Sequence, residues 1–360
     1  MKSVINKYLS ETQTEDEIKR CFKADMTAYL GCREVVPVVN GTVALEVALR
    51  GLGLSRGDFV IVPDISFVAT ATAVANCGLV PVYADVSSAY FGLTLEALRS
   101  RYSPRVKAAI LVHFSGFVNR ELFEIIEYCY RNDIFLVEDC AQAFSCTAHG
   151  MKVGTLGNAG TFSFQSSKII TAGEGGLIAT NDPRLSAQFQ AVSDWGLSPN
   201  LEKRRVDLAS SNFRLSALQC YVLGNRLKDI DRVVAARRAY CDELEDACRR
   251  LGVEHRLPDP NTVFFDCPFF FPVTSGTQRN TVEPREESPL HRGAIVPAIL
   301  KRFYPDLLED YCNANPREIT DGFCSNSIIA DIDFINIAQV QGMPADRIIT
   351  AYGEDASCRK

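Results

Sequence analysis

Short apolar segments alternate with amphipathic helical segments in the first half of the chain, and this alternation limits its possible folds more than any other feature. Predicted strands span residues 34–39, 59–63, 80–84, 108–113, 134–137 and 159–164. Predicted helices cover residues 14–30, 43–50, 67–76, 95–101 and 120–131. Repeated strand–helix–strand units indicate an α/β fold with a mostly parallel sheet. Strands that are apolar throughout indicate helices on both faces of that sheet.

The length of the chain suits one large domain and one smaller domain. Its 360 residues are 47% hydrophobic, which is enough to form two separate cores. A long helical pattern over residues 216–250 can carry the chain out of the first unit. We therefore predict a large domain over residues 1–240, including an N-terminal helix, and a small C-terminal domain over residues 241–360.

The charge of the chain argues against nucleic acid or an anionic membrane as its main partner. The formal net charge is -6, and the sequence pI is near 5.4; both disfavour binding to polyanions. No window reaches the roughly 18 uninterrupted apolar residues that a membrane span requires. The first 17 residues are polar and mixed in charge, unlike a signal peptide. We expect a cytoplasmic protein.

The chain contains 13 cysteines, scattered singly and without a CxxC pair. This spacing favours neither a zinc site nor a disulfide framework. We predict that the cysteines are reduced and serve as small core residues, and we predict no metal site.

A lysine follows the predicted strand over residues 159–164. Lys168 lies between that buried strand and the glycine-rich turn over residues 173–176, a position that favours the edge of a cavity over a solvated helix face. A lysine there can lose part of its hydration and act as an amine nucleophile toward a carbonyl. The alternative is an ordinary lysine in a surface loop.

An anion site is predicted where the first strand meets the next helix. Asn40, Gly41 and Thr42 occupy this junction. Glycine lets a ligand approach the backbone, the free amides point outward, and the helix dipole favours negative charge. Simple N-capping is the alternative. The junction lacks the Walker pattern and the GxGxxG fingerprint, which argues against a nucleoside triphosphate or a dinucleotide.

Two carboxylates end the strand near residue 137. One of Glu138 and Asp139 can face the crevice while the other pairs elsewhere. A buried aspartate needs a cationic partner or hydrogen bonds to stay ionised, and a protonated pyridine nitrogen would be such a partner. The alternative is a structural aspartate that caps the following segment.

Together, these features match the requirements of pyridoxal phosphate. Lys168 can hold the aldehyde as a Schiff base, and Asp139 can keep the ring nitrogen protonated. Phe67 offers a ring to stack on the pyridine, and the alternative is a core residue. The amides and hydroxyls near Gly41 can hold the phosphate.

Seven ordered motifs then resemble the DegT-type sugar aminotransferases, which are fold type I pyridoxal-phosphate enzymes. The motifs are VNGTVAL (39–45), GDFVIVP (57–63), VHFSG (112–116), VEDCAQA (137–143), SFQSSK (163–168), GEGG (173–176) and SNFRLS (211–216). The resemblance runs from about residue 15 to 245. It implies a mostly parallel seven-stranded sheet in the large domain and a smaller C-terminal α+β domain.

The resemblance also implies a role for each matching residue. Lys168 would be the Schiff-base lysine and the group that moves the proton, and Asp139 would pair with the pyridine nitrogen. The remaining cofactor contacts would come from Gly41, Thr42, Phe67, Gln142, Ser163 and Asn212. Within that set, Gly41, Thr42 and Ser163 would hold the phosphate, and Phe67 would stack on the ring. Asn212 would reach the phosphate of a neighbouring subunit, which implies a homodimer with a shared active site.

The implied reaction transfers an amino group from glutamate or glutamine to a keto group of a nucleotide-linked sugar or related polyol. The partners would be these small molecules and a second copy of the chain. Three alternatives remain: a dehydratase or an aminohydroxybenzoate-type enzyme of the same family, a cofactor-binding regulator without turnover, and an α/β binding module without the cofactor. Relatives that act as dehydratases carry histidine at the lysine position, so Lys168 argues against that branch.

Overall fold

The computed structural model describes residues 2–10, 12–87, 90–197 and 209–251, with short segments at 266–270, 304–307, 310, 313–314 and 332–336. The helices are α1 Lys2–Leu9, α2 Glu15–Leu30, α3 Gly41–Gly51, α4 Ala69–Asn76, α5 Leu95–Ser100, α6 Leu122–Arg131, α7 Pro183–Ser193, α8 Ala217–Leu227 and α9 Ile230–Leu251. The strands are β1 Glu34–Val38, β2 Phe59–Pro63, β3 Val80–Ala84, β4 Val106–Val112, β5 Phe135–Asp139, β6 Thr147–Ala148, β7 Met151–Lys152, β8 Ala159–Ser163, β9 Gly176–Thr180, β10 Asp266–Phe270 and β11 Ile332–Asn336.

Seven of these strands form one sheet in the order β1-β9-β8-β5-β4-β2-β3. The neighbours from β8 through β5, β4 and β2 to β3 pair in parallel, whereas β9 runs antiparallel to both β1 and β8. The prediction of a mostly parallel, seven-stranded sheet is confirmed. The strand near residue 137 extends to Asp139, so Glu138 and Asp139 belong to the strand and point to opposite faces.

Helices cover both faces of the sheet. Neighbouring residues of one strand accordingly pack in the two different cores, one on each face. Val60 and Val62 pack in the core formed with α3, α4 and α7. Ile61, between them, packs in the core formed with α2, α5, α6 and α8. This arrangement explains why the strands read as apolar at every position.

Local signals fix the helix ends that the sequence predicted. Thr14 and Glu17 form a capping box at the start of α2, and Gly31 ends that helix with φ 70. The predicted helix over residues 216–250 is instead two helices, α8 and α9, which are separated at residues 228–229. The helix break was not predicted, since Lys228 and Asp229 include neither glycine nor proline.

Three further expectations concern the cysteines, a membrane span and the C-terminal domain. The cysteines described by the structure are free, and six of the eight are buried, as predicted for core residues. No described helix has the length and apolar character needed to cross a bilayer. The predicted C-terminal domain over residues 241–360 falls largely outside the described residues. In that region β10 and β11 pair antiparallel.

The topology brings the candidate residues to one edge of the sheet. The carboxyl ends of β1, β2, β4, β5 and β8 share this edge, and the antiparallel β9 begins there. In parallel α/β sheets, ligands bind beyond the carboxyl ends of the strands. The segments that follow these strands contain Gly41, Phe67, His113 and Lys168.

Candidate active site

A tight backbone crossing forms the predicted anion site. Asn40 caps α3, its side-chain oxygen accepting from Val43 N–H at 2.8 Å. A Cβ on Gly41 would lie 2.8 Å from Ser163 Cβ, and a Cβ on Gly176 would lie 2.3 Å from the Asn40 carbonyl oxygen. Both positions therefore require glycine. The crossing places Ser163, at the end of β8, directly against the first turn of α3.

The first turn of α3 favours an anion. The N–H groups of Gly41 and Thr42 precede the first intrahelical bond, which Ala44 N–H donates to Asn40 O at 3.0 Å. Free amides at a helix start, together with the positive end of the helix dipole, attract a negative group. The structure thus joins three of the residues predicted to hold a phosphate: Gly41, Thr42 and Ser163.

Asp139 is a buried carboxylate with one donor on each oxygen. Its side chain is 6% exposed. Oδ2 accepts from Thr70 Oγ1, and Oδ1 accepts from Ala141 N–H, both at 3.1 Å. Burial raises the pKa of Asp139, while these two hydrogen bonds and the charges of Lys168 and His113 act to lower it. Each carboxylate oxygen can accept about two hydrogen bonds, so both can take a further donor from the crevice.

Lys168 is half-buried in a loop held by its own side chains. Its N–H donates to Gln165 O at 2.9 Å. Gln165 Oε1 accepts from the N–H and hydroxyl of Ser167, at 2.9 and 2.6 Å. Thr171 closes the loop, because its hydroxyl donates to Phe164 O at 2.9 Å. The charge of Lys168 acts to lower the pKa of Asp139, and both residues lie at the edge of the sheet where β5 and β8 end.

Phe67 and Gln142 lie on segments that reach the same edge. Phe67 is 47% exposed, which does not fit the alternative of a core residue. Gln142 Oε1 accepts from Ser115 N–H at 2.6 Å. This bond uses the amide oxygen of Gln142. Its amide nitrogen can therefore donate to another group. Ser115 holds this position with φ 55, an uncommon conformation for a residue with a side chain.

Glu138, next to Asp139, uses both of its carboxylate oxygens in contacts within the protein. Oε1 accepts from the N–H groups of Leu156 and Gly157 at 2.8 and 2.7 Å. Oε2 accepts from Gly154 N–H at 2.8 Å and lies 3.1 Å from His113 Nε2. Burial raises the pKa of Glu138, but the hydrogen bonds and charge of His113 and the backbone amides outweigh it and hold the pKa below its usual value.

The same surroundings argue against a metal at Glu138. The possible ligand atoms of His113, Glu138 and Cys140 lie within 4.8 Å of one another. Both Glu138 oxygens nevertheless already accept from backbone N–H groups, and His113 Nδ1 accepts from Asn119 N–H at 3.3 Å. This cluster is a buried, hydrogen-bonded anion that fixes the ends of β4 and β5.

Asn212 lies in an exposed segment beside the end of β1. It is exposed, on a segment paired with β1 through Val38 and Arg214. Its Oδ1 accepts from Arg214 N–H at 3.3 Å, while the Arg214 guanidinium pairs with Asp194. The role expected for Asn212, toward a neighbouring subunit, stays a prediction.

The sequence did not point to Thr70. It lies three residues after Phe67, within a helix of small residues, and is 1% exposed. The available signal was a pair of threonines in a helix segment otherwise made of alanine, valine and a final asparagine. Its contact with Asp139 joins residues 69 positions apart and depends on how α4 packs beside β5.

The chain was compared with known proteins. Residues 3–285 match the sequence model of the DegT/DnrJ/EryC1/StrS aminotransferase family. A GDP-perosamine synthase from Caulobacter vibrioides is 35% identical over 67% of this chain and 64% of its own length. An L-glutamine:2-deoxy-scyllo-inosose aminotransferase from Streptoalloteichus tenebrarius is 31% identical over 80% of this chain and 74% of its own length. The match to the perosamine synthase thus spans less than two thirds of that relative.

A solved structure superposes on this chain. DesV from S. venezuelae superposes with a TM-score of 0.76 at 24% identity, covering 99% of this chain and 94% of that one. The fold is that of the fold type I pyridoxal-phosphate transferases, as the sequence motifs predicted.

Proposed function

Because the chain belongs to the DegT/DnrJ/EryC1/StrS aminotransferase family, we propose that it is a pyridoxal-phosphate-dependent aminotransferase. The observation that carries this proposal is the pairing of two features at one sheet edge. A half-buried lysine, Lys168, and a buried carboxylate, Asp139, lie at the same edge of the sheet. Beside them, Gly41 and Ser163 form a backbone crossing at a helix start.

The residues fit this cofactor at each functional group. The first turn of α3, with Gly41, Thr42 and Ser163, suits a phosphate. Asp139 suits a cationic ring nitrogen, because both of its oxygens can accept another donor. Phe67 offers an exposed ring face, and Gln142 offers an amide N–H donor. When bound, the cofactor supplies an aldehyde and an electron-accepting ring.

The chain's own groups then have separate tasks. Lys168 would hold the cofactor's aldehyde through its amine, and its Nζ would accept and return the proton of the substrate carbon. The Asp139 carboxylate keeps the ring nitrogen cationic. Phe67 limits movement of the ring and excludes water from one face. Amino transfer in two halves gives ping-pong kinetics.

The substrates follow from the relatives named above. One carries glutamine and an inosose, a keto-polyol, in its name, and another is named for perosamine, a GDP-linked amino sugar. We propose glutamate or glutamine as the amino donor and a keto group of a nucleotide-linked sugar or related polyol as the acceptor. An active homodimer in the cytoplasm completes the proposal, with exposed Asn212 reaching the partner's phosphate.

A half-reaction tests this function directly. Purified protein is loaded with pyridoxal phosphate, freed of excess and mixed with glutamate or glutamine without acceptor. We expect one equivalent of 2-oxo acid per bound cofactor, and renewed production when a keto-polyol is added. Lys168→Ala should give none. Lys152→Ala removes a partly buried lysine whose amine bonds Tyr29 and Ser145, and should behave like wild type.

Three results would contradict the proposal. Bound cofactor with no 2-oxo acid from either donor would indicate a regulator. Failure to bind cofactor at all would indicate a plain α/β binding module. Donor consumption with a dehydrated or aromatic product, and no amino sugar or amino-polyol, would indicate one of the other enzyme types of the family.

A further inference from the structure

Two threonines of α4 use their hydroxyl groups differently. Thr72 bonds back to its own helix, donating to Val68 O at 3.1 Å and to Ala69 O at 3.3 Å. Threonine hydroxyls within helices commonly make such bonds. Thr70 instead reaches across to Asp139 Oδ2 on β5. The Thr72 hydroxyl therefore bonds to backbone carbonyls next to it in the chain, while the Thr70 hydroxyl bonds to a residue of the candidate site.

The Thr70 bond is directional. Ionised Asp139 has acceptor atoms only, so the Thr70 hydroxyl must donate to it. Ala141 N–H occupies the other carboxylate oxygen at 3.1 Å. The two donors hold the carboxyl group from both sides, and both favour its charged form. Since desolvation acts in the opposite direction, each donor matters for the charge that the site presents.

Thr70 is also linked to the aromatic residue of the site. Its N–H donates to Phe67 O at 3.1 Å. A single turn of chain therefore places both the exposed Phe67 ring and the hydroxyl that holds Asp139. The side chain of Thr70 is buried. Water therefore does not compete with Asp139 for its hydroxyl.

We propose that Thr70 is a positioning residue that holds the Asp139 carboxylate ready to pair with a cationic ring nitrogen. This inference rests on the proposed function, because it needs the pyridine nitrogen of the cofactor as the partner of Asp139. Thr70 touches neither substrate nor cofactor in this account. It acts only through the carboxylate.

The test uses cofactor binding, measured by equilibrium dialysis with pyridoxal phosphate across a range of pH. Thr70→Val keeps the shape of the side chain and removes the donor. We expect roughly tenfold weaker binding, because a hydrogen bond to a charged group is lost. The pKa of Asp139 should rise further in Thr70→Val. As the pH is lowered, binding should therefore begin to weaken at a higher pH in this variant than in wild type.

Matched variants separate this role from packing. Thr72→Val makes the same change two residues along the helix and should leave both the affinity and its pH profile unchanged. Thr70→Ser keeps the hydroxyl and should restore both. In an Asp139→Asn background, Thr70→Val should have little further effect, because the group through which it acts is gone. If Thr70→Val does not fold, Thr70→Ser and Thr70→Ala give the same contrast.

The outcomes distinguish this inference from the proposed function. Wild type that binds no cofactor would overturn both. Wild type that binds cofactor through Lys168, with Thr70→Val matching it in affinity and pH profile, would overturn only the role of Thr70. Equal losses in Thr70→Val and Thr72→Val would show a packing effect on α4 and would also overturn it.

Discussion

Glu138 and Asp139 are neighbours on one strand, yet their surroundings are opposite. Glu138 accepts three backbone N–H groups and lies beside His113, and its pKa is lowered. Asp139 accepts from one backbone N–H and one hydroxyl, and its pKa is raised by burial. Alternation along the strand sends the two side chains to different faces.

The difference distinguishes two kinds of buried carboxylate: one that stabilises the fold and one that can bind a ligand. A buried carboxylate whose lone pairs are all used stabilises the fold and offers nothing to a ligand. A buried carboxylate with acceptor positions left over retains an unmet demand for a cation. A carboxylate with a raised pKa and unused acceptor positions, at the ligand-binding edge of a sheet, is a candidate for function. Here, Asp139 meets that description and Glu138 does not.

The largest predicted effect is on turnover. Asp139→Asn keeps the size of the side chain but removes its charge. It should lower the amino-transfer rate by roughly two to three orders of magnitude, the range for loss of one preorganised electrostatic partner. Cofactor-loaded protein and a 2-oxo acid assay give the measurement. A rate within twofold of wild type would contradict the assignment of Asp139 as the functional carboxylate.

The second effect is on stability, and it belongs to Glu138. Glu138→Gln places an NH2 group either where two backbone N–H groups now meet Oε1 or where one backbone N–H and His113 now meet Oε2. It should reduce the free energy of unfolding by about 3 kcal/mol, as when one partner of a buried charged network is removed. Urea unfolding at neutral pH measures this. Asp139→Asn, the control, should be no less stable than wild type. Equal losses in both variants would contradict the assignment.

Two glycines sharpen the same contrast. Gly154, whose N–H bonds Glu138, has φ 84, and a Cβ there would lie 2.5 Å from the Phe162 ring. Gly154→Ala should cost about 2 kcal/mol of stability, as for an overpacked core. Gly41→Ala should weaken cofactor binding roughly tenfold by filling the phosphate crossing, in addition to the stability lost through its contact with Ser163, whereas Gly154→Ala should leave cofactor binding unchanged. Dialysis and thermal unfolding of both variants would show whether the two losses separate in this way.

The smallest effect is on the pH dependence of stability. Glu138 has a lowered pKa, so its stabilisation is complete above its ordinary value of 4.5 and is lost as pH falls through the folded value. Asp139 has a raised pKa, so it destabilises the fold increasingly as pH rises from its ordinary 3.8 through the folded value. Difference curves against Glu138→Gln and Asp139→Asn should slope in opposite directions. Parallel curves would contradict the pKa directions.

Much of the fold was predictable because its signals are local. The strand Phe59–Pro63 and the strand Val80–Ala84 begin and end where the apolar pattern does. The reversed direction of β9 was not predicted, because strand direction is set by how the chain folds back after the glycine-rich turn. The division of α8 from α9 also lacked a glycine or proline signal.

The same limit applied to the site. Lys168, Asp139 and Gly41 stood out because strand ends and glycine turns mark them in sequence, and Ser163 was predicted through the resemblance to the family. The Thr70 contact and the Ser115 N–H that orients Gln142 join distant parts of the chain. Such contacts depend on tertiary packing, which no local pattern in this sequence reports.

Labelling the lysine tests the central claim most directly. Protein loaded with pyridoxal phosphate is treated with borohydride, which fixes the cofactor to any amine that it has engaged, and the peptides are mapped by mass spectrometry. We predict one cofactor per chain, attached at Lys168, with none at Lys152. Labelling spread over other lysines while Lys168 stays unmodified would contradict the account.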